Sequence, residues 1–164
     1  MYRTLLILAV TVCVLFSSRT GPVYGRFIPL LPGIDLSELE ARLHANKGKV
    51  IILEFWMHNC PNCLREAPFM SKMYRKYKRR GLLVIGLSVD EDYEDAREFV
   101  LITGIRYPTF MADKSIMDAF GVKSVPYHVY IDRKGGIRWQ DVGFYSDRKK
   151  EIEKRIIELL KESS

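Results

Sequence analysis

The chain has 164 residues, 48% of them hydrophobic, with 26 lysines and arginines against 20 acidic residues for a net charge of +6. This length gives one ordinary domain with a single good core plus a short leader. Six of the basic residues crowd one helix-like stretch, and no segment reads as a nucleic-acid module.

Met1 to Arg3, followed by the apolar run Thr4 to Phe16, reads as the charged start and hydrophobic segment of an export signal. Arg3 and Arg19 bound about 15 residues, roughly 22 Å of helix against a hydrocarbon core of about 30 Å. That is short for a span, and Val23-Tyr24-Gly25 offers a small-residue cleavage site. Residues 1–25 are therefore a signal peptide or an N-terminal membrane anchor, and residues 26–164 form the working domain. A lipid-modified Cys13 needs a small residue before it, where Val12 stands, so Cys13 reads as a small hydrophobe. Export gives the other two cysteines their meaning. Disulfides persist outside the cytoplasm, and a lone pair there needs a dedicated electron donor or acceptor to turn over.

Gly21 to Gly33, with Pro22, Pro29 and Pro32, reads as an extended lead-in. Asp35-Leu36-Ser37-Glu38 opens a helix with a capping acid and a second acid three residues on. Leu36, Leu39 and Leu43 mark its buried side, and Asn46 to Gly48 end it. Lys49 to Trp56 is an apolar strand that feeds a helix running to Gly81.

The junction of that strand and helix is Asn59-Cys60-Pro61-Asn62-Cys63. Residues three apart in a helix share one side with Cα atoms roughly 5 Å apart, inside the span a disulfide requires. Cys60 can bond Cys63, and the helix start supplies unpaired N–H groups and a positive dipole end that favour thiolate. As a staple the pair is weak: a loop of about four residues gains about 2 kcal/mol, against nearly 5 for a long one. As a zinc half-site it lacks partners, because structural zinc wants four ligands and His44, His58 and His128 have no paired spacing. Dithiol–disulfide exchange suits the arrangement best. Met70, Met73, Tyr74 and Tyr77 form the core stripe of this helix, and Lys72, Arg75, Lys76, Lys78, Arg79 and Arg80 its solvated face near the C-terminal end, where cations complement the dipole.

Leu82 to Val89 is a second apolar strand, continuous enough to be buried on both faces. Asp90 to Thr103 reads as an acid-capped helix, Tyr107 to Met111 as a short strand or extended piece, and Ser115 to Phe120 as a short helix stopped by Gly121. Tyr127 to Ile131 and Ile137 to Val142 form a hairpin across Asp132 to Gly136. A closing helix from Asp147 to Lys161 turns Ile152, Ile156, Leu159 and Leu160 inward. Alternating strands and helices ending in an antiparallel hairpin imply an α/β fold with a mixed sheet covered on both sides.

From about Asp35 to Lys161 the chain resembles the thioredoxin superfamily, most closely its exported TlpA/ResA-like branch. The motifs are Phe55-Trp56 followed by Cys60-Pro61-Asn62-Cys63, Glu66 with Pro68, Gly121-Val122-Lys123-Ser124-Val125-Pro126, and Ile131-Asp132 with Gly136-Ile137. Asp90 to Asp113, with Tyr107-Pro108, resembles the insertion of that branch. The resemblance implies a thioredoxin-like three-layer α/β/α fold and a thiol–disulfide oxidoreductase, with Cys60 attacking, Cys63 resolving, and Pro126 cis and facing the pair. It implies protein disulfides as substrates, a membrane thiol carrier as electron donor, an extracytoplasmic location such as the periplasm, a monomer, and neither cofactor nor metal. Reduction of cytochrome c haem sites is one task it suggests.

Glu54, in the middle of an apolar strand, should have a raised pKa if buried. It stands six residues before Cys60, where thioredoxins carry a buried Asp, so it is either a general base near Cys63 or an acid reaching water at the sheet end. Glu66 either influences both thiols, as in that branch, or is a favourable acid in the first turns of the helix. Asn59 replaces the usual aromatic before the first cysteine, and Tyr127 is bulky enough to narrow the substrate groove. His58 reads as solvent-exposed. A copper-handling relative of the fold spaces its cysteines by three residues, not two. A thiol peroxidase would carry Thr where Met57 stands. A disulfide-forming oxidase remains the alternative direction of the same chemistry.

Overall fold

The computed structural model describes residues 31–145 and 147–163. The expected leader, Cys13 and most of the extended lead-in lie outside the described residues. The order of elements is β1 (Gly33–Ile34), α1 (Leu36–Ala45), β2 (Val50–Trp56), α2 (Pro61–Tyr77), β3 (Leu82–Ser88), α3 (Tyr93–Thr103), β4 (Thr109–Ala112), α4 (Lys114–Phe120), β5 (Tyr127–Ile131), β6 (Ile137–Val142) and α5 (Arg148–Lys161). A short 3-10 turn, Lys78–Arg80, closes α2, and Gly81 follows with φ +99°, a conformation that costs glycine little.

The strands form one mixed sheet in the order β1-β4-β3-β2-β5-β6. The first four strands in that order pair in parallel; β5 joins β2 antiparallel, and β6 joins β5 antiparallel. Every residue of β2 is buried, as expected of a central strand covered on both faces. The period-two alternation of its side chains divides the core. Val50, Ile52 and Trp56 pack on one face with α2, α3 and α5, while Ile51, Leu53 and Phe55 pack on the other with α1 and α4. This is a three-layer α/β/α sandwich of thioredoxin type. No helix among the described residues is long and apolar enough to cross a membrane.

The elements form where local chemistry places them. Asp35 and Glu38 make a reciprocal capping box on α1, with the Glu38 N–H donating to Asp35 at 2.8 Å. Asp92 caps α3 and Asp113 caps α4. The expected inward residues of α5, Ile152, Ile156, Leu159 and Leu160, are all buried. On α1 only Leu39 is fully buried, and Leu36 and Leu43 are half-covered at the rim. Several boundaries shift by a residue or more, and two of the shifts bear on the site. Helix α3 starts after Asp92 rather than at Asp90, and the extended piece from Tyr107 becomes strand only at Thr109. Both displaced residues have other partners at the site.

Candidate active site

Cys60 is the N-cap of α2 and Pro61 its first helical residue, where a missing N–H costs little. The Cys63 backbone N–H donates to Cys60 Sγ at 3.1 Å, the position in which a capping side chain satisfies an orphan donor. The two sulfurs are joined in a disulfide with Cα atoms 5.2 Å apart, as helical spacing requires. Cys60 is 6% exposed and lines a surface groove, whereas Cys63 is 1% exposed and does not.

The Val125–Pro126 bond is cis, and the Val125 carbonyl oxygen lies 3.8 Å from Cys60 Sγ. A groove runs over Cys60 between Met57 and Asn59 on one side and Val122 to Val125 on the other. Tyr127 does not narrow it. Strand alternation sends its ring to the opposite face, where it packs edge-on against Phe55 and donates to the Phe120 carbonyl at 3.0 Å.

Asp90 organises the loop before Cys60. Its carboxylate accepts the His58 backbone N–H at 2.9 and 3.0 Å and the Ser88 hydroxyl at 2.8 Å. His58, expected to be solvent-exposed, keeps about a third of its side chain open. The ring is half-covered, 4.0 Å from Asp95 and 3.7 Å from Glu98.

Beneath the disulfide lies a buried acid cluster. Cys63, Glu66, Ala67 and Met70 follow one another along the inward side of α2, so Glu66 sits one turn below Cys63, with Cβ atoms roughly 5–6 Å apart by helical geometry. Its side chain is 0% exposed. Glu54, 1% exposed, faces the same side from β2, so it does not reach water at a sheet end. His128, on β5 directly opposite Glu54, is also fully buried and brings Nε2 to 3.0 Å from Glu66 Oε1. Sequence spacing did not single out His128 for this role; its signal was an imidazole at an inward strand position two residues after Pro126.

Burial first, and then the charge of Glu66, hold the Glu54 carboxyl well above the ordinary glutamate range, while the Tyr107 hydroxyl beside it works the other way. Burial and the same two acids push the Tyr107 hydroxyl well above its usual range. Gly86 makes room for this ring: a Cβ there would stand 3.0 Å from Tyr107 Cε2 and 3.1 Å from Trp56 Nε1. The donor atoms of Glu54, Glu66 and His128 lie within 4.8 Å of one another, the one such group among the described residues. An ion would have to shed its water and enter a closed core to reach them. Sharing a proton needs no such entry, and two carboxyls with an imidazole suit that role.

Residues 29–140 match the AhpC/TSA family. The thiol-disulfide oxidoreductase ResA of Bacillus anthracis is 30% identical over 129 residues, 78% of this chain and 75% of that protein. ResA of Halalkalibacterium halodurans is 35% identical over 106 residues, 63% of this chain and 56% of that one. Among solved structures, a thiol:disulfide interchange protein of the thioredoxin family from Chlorobium tepidum superposes with a TM-score of 0.65 at 27% identity, over 71% of this chain and 83% of that one. A thiol-disulfide isomerase from Corynebacterium glutamicum does so with a TM-score of 0.62 at 26% identity, over 73% and 86%.

Proposed function

The chain belongs to the AhpC/TSA family and is a thiol–disulfide oxidoreductase, and from that premise we propose that it works as a reductant of protein disulfides outside the cytoplasm. Cys60 thiolate attacks a substrate disulfide, forming a mixed disulfide and releasing one substrate sulfur as thiolate. Cys63 then loses its proton and attacks Cys60 Sγ, breaking the mixed disulfide and releasing the second substrate sulfur. The substrate gains two electrons and the protein ends oxidised, as in the structure. A thiol carrier embedded in the membrane restores the dithiol by the reverse exchange.

The observation that carries this reading is the asymmetry of the pair. The sulfur of Cys60 opens on a groove and is capped by a helix N–H; Cys63 is buried one turn from the buried Glu66 on the inward side of α2. The groove wall at Val125, whose bond to Pro126 is cis, offers an extended substrate segment a backbone carbonyl beside the reacting sulfur. The acid pair takes the proton that Cys63 gives up; for two carboxyls so coupled, that proton belongs to the pair rather than to either member. Residues 1–25 deliver the domain, as a cleaved signal or as an anchor, and residues 26–164 act as a monomer. Haem-site cysteines of cytochromes c are one substrate class that the ResA likeness suggests.

The test is reduction of insulin disulfides by the full chain with dithiothreitol as electron source. Wild type should turn over, and Cys60→Ser should not. Thiol trapping in intact cells should find the protein largely reduced. A protein trapped oxidised in cells, with turnover only in the direction of disulfide formation, makes it an oxidase instead.

A further inference from the structure

His128 takes no part in the exchange of sulfurs, yet it is the one basic side chain in the buried acid cluster. The groups that face it can be named element by element. From α2 comes Glu66, 3.0 Å from Nε2. From β2 comes Glu54, its partner in the strand register, with the Tyr107 hydroxyl beside that carboxyl. On β5 itself the Tyr130 ring lies 6.2 Å away. From β6 the register partner is Asp141, but its carboxylate is held by Arg148 at 3.0 Å and by Arg155. Asp141 is therefore occupied, and the imidazole is left to the two glutamates.

Side chains on a helix lean toward its N-terminus, so Glu66 reaches from its own turn back toward Cys63. His128 approaches the same carboxyl from the sheet. Glu66 thus stands between a thiol that must lose a proton and an imidazole that can hold or return one.

We propose that His128 is a positioning residue for the resolving step: it fixes Glu66 and shares its proton, so that Glu66 can accept the proton of Cys63. This rests on the reading that Cys63 resolves. In that step the Cys63 S–H proton passes to Glu66 Oε, the Cys63 sulfur forms its bond to Cys60 Sγ, and the substrate sulfur leaves with the bonding pair. After release the proton returns to solvent or to the departing thiolate. No electron enters or leaves the histidine–glutamate couple.

Single-turnover reduction of a chromogenic aromatic disulfide by the reduced full chain separates the two steps, because each releases one coloured thiolate. His128→Asn should leave the first release within about twofold and slow the second about tenfold near neutral pH, a modest share of what general acid–base catalysis supplies. The second release should recover as pH rises, when hydroxide can take the proton. Because His128 acts through Glu66, the double variant His128→Asn/Glu66→Gln should be no slower than Glu66→Gln alone. Additive losses, or a slower second release with an unchanged pH profile, overturn the proposal.

If the histidine variant does not fold, the native chain still decides. The His128 Nε2 proton resonance should shift between oxidised and reduced protein and between wild type and Glu66→Gln; an unmoved resonance overturns it. So does a stoichiometric divalent ion in the purified chain that Glu66→Gln releases. Failure of the underlying reading looks different: Cys63→Ser would then retain the second release.

Discussion

The backbone N–H of Cys63 donates to the sulfur of Cys60 at 3.1 Å. One residue of the pair therefore stabilises negative charge on the other, and this donor is on the helix whatever the redox state of the sulfurs. The two thiols are chemically unequal before any substrate arrives. Alkylation of the reduced protein near neutral pH should label Cys60 first. Cys63→Ser should accumulate mixed disulfides with substrates and Cys60→Ser should not. Equal labelling would overturn the assignment.

Glu54 should separate the two chemical steps. Replacing it with Gln should slow release of the mixed disulfide about tenfold or more while the first attack changes little, since only the buried thiol lacks water to take its proton. Equal loss in both steps would make Glu54 structural.

The same residue makes stability depend on pH. Its folded carboxyl titrates above the ordinary value of 4.5, so between that value and its raised one the native state binds more protons than the unfolded state. Stability therefore falls as pH rises through that window. Denaturant midpoints from acid to neutral pH should show this fall in wild type, and Glu54→Gln should reduce it. An equal slope in both would show that other groups govern it.

Negative charge on the buried acid pair would oppose a thiolate beside it and partly offset the helix dipole. A less stabilised thiolate makes a better reductant. Equilibration with dithiothreitol should place the potential nearer thioredoxin, about −270 mV, than the oxidase DsbA, about −120 mV. A value at the DsbA end would reverse the direction of the proposed exchange.

Gly86 cannot gain a side chain without moving the site. A Cβ would lie 2.9 Å from Thr109 Oγ1 as well as close to Tyr107 and Trp56, and Trp56 is itself stacked on Phe99 at 4.2 Å. Gly86→Ala should cost about 1–3 kcal/mol by overpacking. It should also slow the resolving step by displacing Tyr107 from Glu54. A variant as stable and as fast as wild type would show that the strand shifts freely there.

Tyr127→Phe is the contrasting case. It removes a hydrogen bond to Phe120 on the far face of the sheet, at a cost of about 0.5–1.5 kcal/mol, and should leave turnover unchanged. Altered substrate kinetics would return Tyr127 to the groove.

The strands and the long helices were legible from period and apolar runs, and β5, β6 and the buried face of α5 stand where the pattern puts them. Cys60, Cys63, Glu54, Glu66 and Pro126 were legible as candidates because each stands at a motif position or breaks an apolar run. Three residues were not. Tyr127 was judged by its adjacency to Pro126, although alternation along a strand already sends neighbours to opposite faces. Asp90 looked like part of an acidic helix start, and the cap proved to be Asp92. His128 needed knowledge of what lies across the sheet, and pairing between distant strands leaves little trace in local sequence.

Glu54 and His128 face each other in the β2–β5 register, so the proposed proton relay would bind catalysis to assembly. A molecule with these strands paired one residue out of step would keep nearly the same helix and strand content and the same cysteine spacing. Its imidazole and its acid would no longer meet. By circular dichroism it would pass for native, yet its resolving step would be slow, and it would linger as a mixed disulfide. On that proposal, turnover would report on the fidelity of folding at a strand junction that spectroscopy of the backbone does not resolve.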